Sequence, residues 1–320
     1  MRALFAWLVP AADVVGAPLT LLAGLWMKLV RRSGVQRLPV SRRILNAVGV
    51  FPVRDHYYEP AFHPRHLRQP LDRPRNLPGV DLDPAGQLAL LESFRGEAEL
   101  LEFPLRPPAP HEFGYLNRSF GPGDAEYLYL AIRHFRPRRI IEIGSGNSTL
   151  MARNAICRNQ AEVPDYVCEH TCIEPYEMPW LESVGVHVIR RRVEDLDLAI
   201  FCELQANDVL FIDSSHVVRP QGDVLREYLE ILPALRAGVL IHVHDIYTPR
   251  DYPERRLLAE VRFWNEQYLL EALLSGNRGF RVFGALNFLR HDHSDRLLAK
   301  CPILARLPDQ EPGSFWMAKT

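Results

Sequence analysis

Four short stretches of the 320-residue chain carry the residue types from which a site could be built. The first is Glu142-Ile143-Gly144-Ser145-Gly146-Asn147-Ser148-Thr149. Two glycines in a strand-to-helix turn let backbone approach a ligand, and the next helix offers free N–H groups. A dinucleotide fingerprint requires a third glycine at position 149, where Thr149 stands. Glu142 also repels pyrophosphate and favours a cation. The second stretch, Ile173-Glu174-Pro175, ends on a carboxylate of the kind that hydrogen-bonds ribose hydroxyls. Its alternative is to cap its own loop. The last two are Asp213-Ser214-Ser215-His216 and His242-Val243-His244-Asp245. A histidine there suits a general base near neutral pH. The carboxylates suit a hard divalent cation that binds an acceptor oxygen and lowers its pKa. His242 shares a strand face with His244 and reads as a buried residue with a satisfied ring. Cys168, His170 and Cys172 have zinc-type donors but no second ligand pair at finger-like spacing, so they read as residues of a buried strand.

Alternating strands and helices position these stretches. Leu128, Ala131, Ile132 and Phe135 mark one helical face, with Asp124 as its N-cap and Pro137 beyond its end. Strands are expected at residues 139–144, 166–174, 186–190, 208–213, 238–245, 280–283 and 314–317. Helices are expected at 148–159, 223–235 and 253–274, the last with Leu257, Val261, Trp264 and Tyr268 on one face. The fold class is therefore α/β: a Rossmann-like, doubly wound, mostly parallel seven-stranded sheet with helices on both faces, plus an N-terminal extension. Ligands bind such sheets at the carboxyl ends of the strands, where all four stretches fall.

The order E-x-G-x-G, then an acid ending the next strand, then Asp ending a fourth, resembles the class I S-adenosylmethionine-dependent methyltransferases. The resemblance covers residues 115–290. IIEIGSGNST, CIEPYE, VLFIDSSH and VLIHVHDI are similar to a bacterial branch of small-molecule and glycan-directed O-methyltransferases. It implies that Glu142, Gly144, Ser145, Gly146 and Asn147 carry the methionine part of the cofactor. Glu174 would hold the ribose, and Glu194 or Asp195 would lie by the adenine, with Asp213 beside them. His216, His244 and Asp245 are the catalytic candidates. Asp213 and Asp245 are the candidate ligands of Mg²⁺ or another divalent cation. His216 is favoured as base because it follows its strand by three residues, whereas His244 is still within one. Competing readings are an NAD(P)-dependent oxidoreductase on a Rossmann-like sheet, disfavoured by Thr149 and Glu142, and a non-catalytic membrane-associated binding protein.

Composition bounds the rest. Apolar residues make up 47% and charged residues 24%, which excludes disordered and collagen-like chains. A net charge of −1 gives no drive towards nucleic acid. Five cysteines, an odd number, suit a reducing compartment. Residues 1–80 hold 12 Arg or Lys against 4 Asp or Glu, so the front of the chain is basic and the remainder acidic. Residues 3–30 are apolar, interrupted by Pro10, Asp13 and Pro18, and the charge-free stretch Val14–Met27 is shorter than the ~20 residues of a bilayer span. Trp7 and Trp26 suit an interface, and Arg31, Arg32, Arg37, Arg42 and Arg43 follow. That order suits attachment to the cytoplasmic face of a membrane, the body being cytoplasmic; a helix packed on the body, a signal peptide and a full span are the alternatives. Three segments result: 1–45, an apolar and basic anchor; 46–120, a Pro-rich lead-in, lid or substrate region with a short helix at Gly86–Phe94; and 121–320, the methyltransferase domain. The acceptor is expected to be a small molecule or a glycan.

Overall fold

The computed structural model describes residues 2–117 and 119–320, with backbone alone for residues 2–8, so Trp7 lies outside the described side chains. The chain forms two compact units, one ending at Arg68 and one over Gln69–Thr320.

In the first unit, α1 (Arg2–Ser33) runs through Pro10 and Pro18 without ending. A turn at Val35–Arg37 leads to α2 (Pro39–Val48), which starts with Pro39 and stops at left-handed Gly49. Val30, Val35 and Leu45 form a small core of their own, with Met27 and Leu38 against it.

The second unit is built on a seven-stranded sheet: β1 (Arg139–Ile143), β2 (Glu169–Ile173), β3 (His187–Ile189), β4 (Val209–Ile212), β5 (Leu240–Val243), β6 (Phe280–Ala285) and β7 (Phe315–Lys319). The strand order is β3-β2-β1-β4-β5-β7-β6. β7 alone runs antiparallel to its neighbours β5 and β6. Short apolar runs make these strands because both faces are covered. Alternate residues serve two cores: Ile140, Val209, Phe211, Leu240 and Trp316 point to one, and Ile141, Ile143, Leu210, Ile212, Ile241 and Val243 to the other. The order in which strands are added reverses between the parallel neighbours β1 and β4, the switch point at which such sheets open a crevice beyond the carboxyl ends.

The lead-in from residue 69 onward belongs to this unit. α3 (Pro84–Ser93) is capped by Asp83, which accepts from Gly86 N–H at 3.0 Å. Phe94, Leu100, Phe113, Tyr115 and Phe120 join the core of α4 (Asp124–Phe135) and α5 (Asn147–Glu162).

Two expected elements differ. The cap of α4 is Gly123, and Asp124 stands one residue inside, where its carboxylate accepts from Gly313 and Ser314 N–H at 3.0 and 2.7 Å. Periodicity could not show that distant pairing. The expected 253–274 helix is broken into Arg255–Ala259 and Glu266–Leu274. Between them the backbone docks on the loop after β4. His216 O accepts from Asn265 and Glu266 N–H at 3.0 and 3.3 Å, and Asn265 Oδ1 accepts from Val218 N–H at 2.6 Å.

Candidate active site

The turn after β1 is fixed from beneath. Glu142 is 1% exposed. Its carboxylate accepts from Ser148 Oγ at 2.5 Å and Thr149 Oγ1 at 2.6 Å, with His170 Nε2 at 3.1 Å and Cys172 Sγ at 3.5 Å. The acid therefore straps the start of α5 to β1 and β2. It does not line the crevice; what it does is shape the turn. Burial pushes the Cys172 thiol upward, and the Glu142 charge adds to that. Gly144 takes φ +76°, and a Cβ there would overlap the Asp213 carbonyl. Its glycine thus answers a backbone-to-backbone approach inside the protein.

Above the turn lies a cavity of about 620 Å³. Of the sequence candidates, Gly144, Glu174, Glu194 and Asp213 line it, joined by Tyr176, Arg192, Ser214, Ser215 and Arg219. Glu174 accepts from the N–H groups of Tyr176 and Glu177 at 3.0 and 2.9 Å, and from Ser145 N–H at 3.4 Å. It both caps its own loop and presents its carboxylate to the cavity wall. Of the acids after β3, Glu194 is on the wall, whereas Asp195 pairs with Arg192 at 3.0 Å. Ser145, Gly146 and Asn147 sit at the rim of the turn rather than on the cavity wall. The Asn147 amide donates to Ser119 Oγ at 2.8 Å.

Beside the cavity the second constellation closes around His216, which is 5% exposed. Its Nδ1 is 2.8 Å from Glu266 Oε2. Its Nε2 is 3.2 Å from Asp213 Oδ1 and 3.7 Å from Asp245 Oδ2. His216 and Asp245 both take positive φ, +61° and +54°, uncommon for side chains of this size and a sign of a held geometry. Burial works to lower the proton affinity of His216, but hydrogen bonds to Asp213 and Glu266 and the charges of both outweigh it, and the imidazole is raised well above its ordinary value. Burial would raise Asp213, but His244 and His216 hold its carboxyl below the ordinary range. The Tyr247 hydroxyl donates to Asp245 Oδ1 at 2.8 Å.

His244 follows the last residue of β5 and is not within the strand, although its N–H still donates to Ile212 O at 2.9 Å. It is 4% exposed, and Asp213, Asp245 and Asp124 raise its proton affinity against the opposing effect of burial. His242 is fully buried, stacks on Phe211 at 4.0 Å and meets Ser314 Oγ at 2.8 Å. Burial, with the His244 charge, holds it well below the ordinary range. Sequence reasoning missed Glu266, 0% exposed, and Trp264, whose ring lies 4.6 Å from that of His216. Both fall in what read as an unbroken helix, where periodicity does not single out a buried acid.

Residues 141–246 match the profile of a family described as "Methyltransferase domain". An uncharacterised protein of Archaeoglobus fulgidus is 30% identical over 171 residues, spanning 49% of this chain and 75% of that protein. Two solved structures share less. The MycE methyltransferase of the mycinamycin biosynthetic pathway, in complex with Mg and SAH, is 17% identical over 37% of this chain and 30% of its own, with a TM-score of 0.27. CmcI in an Mg–SAM form is 14% identical over 63% of this chain and 72% of its own, with a TM-score of 0.34. Residues 141–246 therefore form a methyltransferase domain. The match makes it a methyltransferase rather than an oxidoreductase.

Proposed function

We propose that the protein transfers the methyl group of S-adenosylmethionine to an oxygen of a small molecule or glycan intermediate, at a membrane surface contacted through residues 3–30. One observation carries the site assignment. Asp213 is at once a wall of the cavity and a partner of His216 at 3.2 Å, so the cofactor side and the proton-handling side share a residue.

In this reading Glu174 holds the ribose diol, Glu194 lies by the adenine, and the 144–147 turn carries the methionine part. Bound S-adenosylmethionine supplies an electrophilic methyl group. The residues then have two tasks: to align the acceptor oxygen, and to remove its proton. His216 does the second through Nε2. Its Nδ1–H donates to Glu266, which fixes the ring's tautomer and direction. The charges of Asp213 and Glu266 raise the proton affinity of that imidazole. Asp213 would serve a bound divalent cation as well, and its hold on Nε2 would then be weaker.

The donor set fits a hard divalent ion. One carboxylate oxygen each from Asp213 and Asp245 and a His216 nitrogen lie within 4.8 Å of one another. Asp213 and Asp245 would hold such an ion, which would supply charge to a developing alkoxide. The test is transfer of label from S-adenosylmethionine into extracts of the host. His216→Ala is expected to lower it by about 10²-fold or more, the lower end of what a general base contributes. Cofactor affinity should be nearly unchanged. Wild-type turnover in both His216→Ala and His244→Ala would remove the base and leave alignment alone.

A further inference from the structure

We infer that the N-terminal unit docks on an anionic lipid surface through two elements. α1 enters the bilayer, and α2 lies in the headgroup layer with Val40, Ile44 and Val48 turned to the acyl chains. This rests on the membrane contact proposed above and extends it with a second element and a lipid class.

The first ground is apolar surface. Val9–Ser33 is long and apolar enough to cross a membrane, and none of its apolar window is buried. Val14, Val15, Leu19 and Leu22 are 66–82% exposed. A helix apolar all round belongs in a core or a bilayer. α2 uses only one side within its unit, where Leu45 packs on Val30 and Val35. On another side Val40, Ile44 and Val48 stand one turn apart and are 57–67% exposed.

Aromatic placement is the second ground. Trp26 is exposed near the end of α1. Arg31 holds Glu59 at 2.8 Å and lies over the Phe51 ring at 5.5 Å, which brings the following segment to the same end. That segment carries Tyr57 and Tyr58, 81% and 80% exposed, with ring centroids 4.0 Å apart. Tryptophan and tyrosine at the end of an apolar helix, beside arginines, form the belt that sits at headgroup depth.

Charge selects the lipid. Residues 1–68 hold ten Arg or Lys against three Asp or Glu. Glu59 is taken by Arg31 and Arg54, and Asp55 pairs with Arg65 and His66. Arg32, Arg37, Arg42 and Arg43 have no acidic partner among the described residues. A second copy of the chain would set one basic patch against another. An anionic bilayer neutralises it, at about fivefold in partition per arginine near the surface. At 100° per residue Arg43 flanks the Val40 stripe, whereas Arg42 lies about 160° from Ile44, on the far side of the helix.

The test floats full-length protein with vesicles of pure phosphatidylcholine, and with vesicles containing one-third phosphatidylglycerol. Amide exchange is followed over residues 39–48, and S-adenosylmethionine binding is checked throughout. Binding to both vesicles is expected, stronger on the anionic ones, where exchange in α2 slows. Arg37→Gln with Arg43→Gln should weaken anionic partition about 25-fold and leave neutral partition alone. Arg42→Gln should do much less, and Val40→Asn with Ile44→Asn should abolish the protection of α2. Equal binding to both vesicles, or unslowed exchange in α2, overturns the inference while membrane contact through α1 survives. No flotation in protein that still binds cofactor overturns both, pointing to cover by the folded body or, if the mass doubles, by a second copy.

Discussion

Replacing Glu266 by glutamine removes one charge from behind His216 and almost nothing else. The side chain is 0% exposed and its oxygen lies 2.8 Å from Nδ1. A glutamine carbonyl can still accept from Nδ1–H, so ring orientation survives while the charge-assisted bond becomes a neutral one. Charge-assisted hydrogen bonds contribute about 1.5–3 kcal/mol and neutral ones about 0.5–1.5. The difference of roughly 1–2 kcal/mol is about 5–30-fold in rate. Carboxylates that orient metal-ligating histidines show about 10–100-fold effects when changed, a comparable size. Glu266→Gln is therefore expected to lower kcat about 10- to 30-fold with KM for S-adenosylmethionine unchanged, because Glu266 is not on the cavity wall. Glu266→Ala, which strands a buried N–H, should cost more. Initial rates with labelled cofactor, over a range of pH, measure both. Wild-type kcat and an unmoved pH profile in Glu266→Gln would refute the claim that this carboxylate positions the base.

Four further outcomes follow from the same geometry. Gly144→Ala should lower the melting temperature sharply, because the added Cβ meets the Asp213 carbonyl, whereas Gly146→Ala, whose Cβ meets only Met178 Cε at 3.7 Å, should keep its stability; calorimetry distinguishes them. Glu174→Ala should weaken S-adenosylmethionine binding more than tenfold, from the loss of a charge-assisted bond of about 1.5–3 kcal/mol, and the same assay with 2′-deoxy cofactor tests the ribose contact. Chelator should abolish methyl transfer and Mg²⁺ or Mn²⁺ restore it; full activity in chelator would remove the ion and leave the base. Burial raises Glu126 from 4.5 to about 7, against backbone N–H donors that favour its charge. Because its folded pKa lies above its unfolded one, stability should fall as pH rises from about 4.5 through 7, by about 3 kcal/mol at most. That slope should be missing from the urea unfolding of Glu126→Gln.

The sheet was legible because its strands are short apolar runs, and β1, β2 and β4 stop at Gly144, Glu174 and Asp213. The seven strands lie within a few residues of their expected ranges, and β7 beside β5 completes an order that alternation alone could not specify. The crevice was legible for the same reason, since position after a strand is a matter of counting. What an acid does after its strand was not. Glu142, next to last in β1, and Glu174, just past β2, both stand at strand ends, yet the first is sealed under the turn by four partners and the second reaches the cavity. The difference lies in His170 and Cys172 on the neighbouring strand, whose pairing register sets Cys172 against Glu142. Cys-x-His-x-Cys looked like a weak metal motif; its second and third members instead serve a carboxylate that no metal need occupy.

The broken helix at 260–265 shows why local rules fail nearest the chemistry. Leu257, Val261, Trp264 and Tyr268 have helical spacing, and nothing in the sequence forbids continuation. The chain nonetheless puts Val261 at φ +52°, a conformation that a β-branched residue adopts only at a cost of about 1–2 kcal/mol. Compensation comes from three hydrogen bonds to the 216–218 loop, through His216 O and the Asn265 side chain. With a straight helix the Glu266 N–H could not bond to His216 O, because it would be taken by the carbonyl of residue 262. With the break, the second helix starts at Glu266, its carboxylate on His216 and Trp264 edge-on to the same ring. The strain is offset by bonds that exist only when the loop carrying His216 is in place. Bringing His216 and Glu266 together is therefore one folding event, not two.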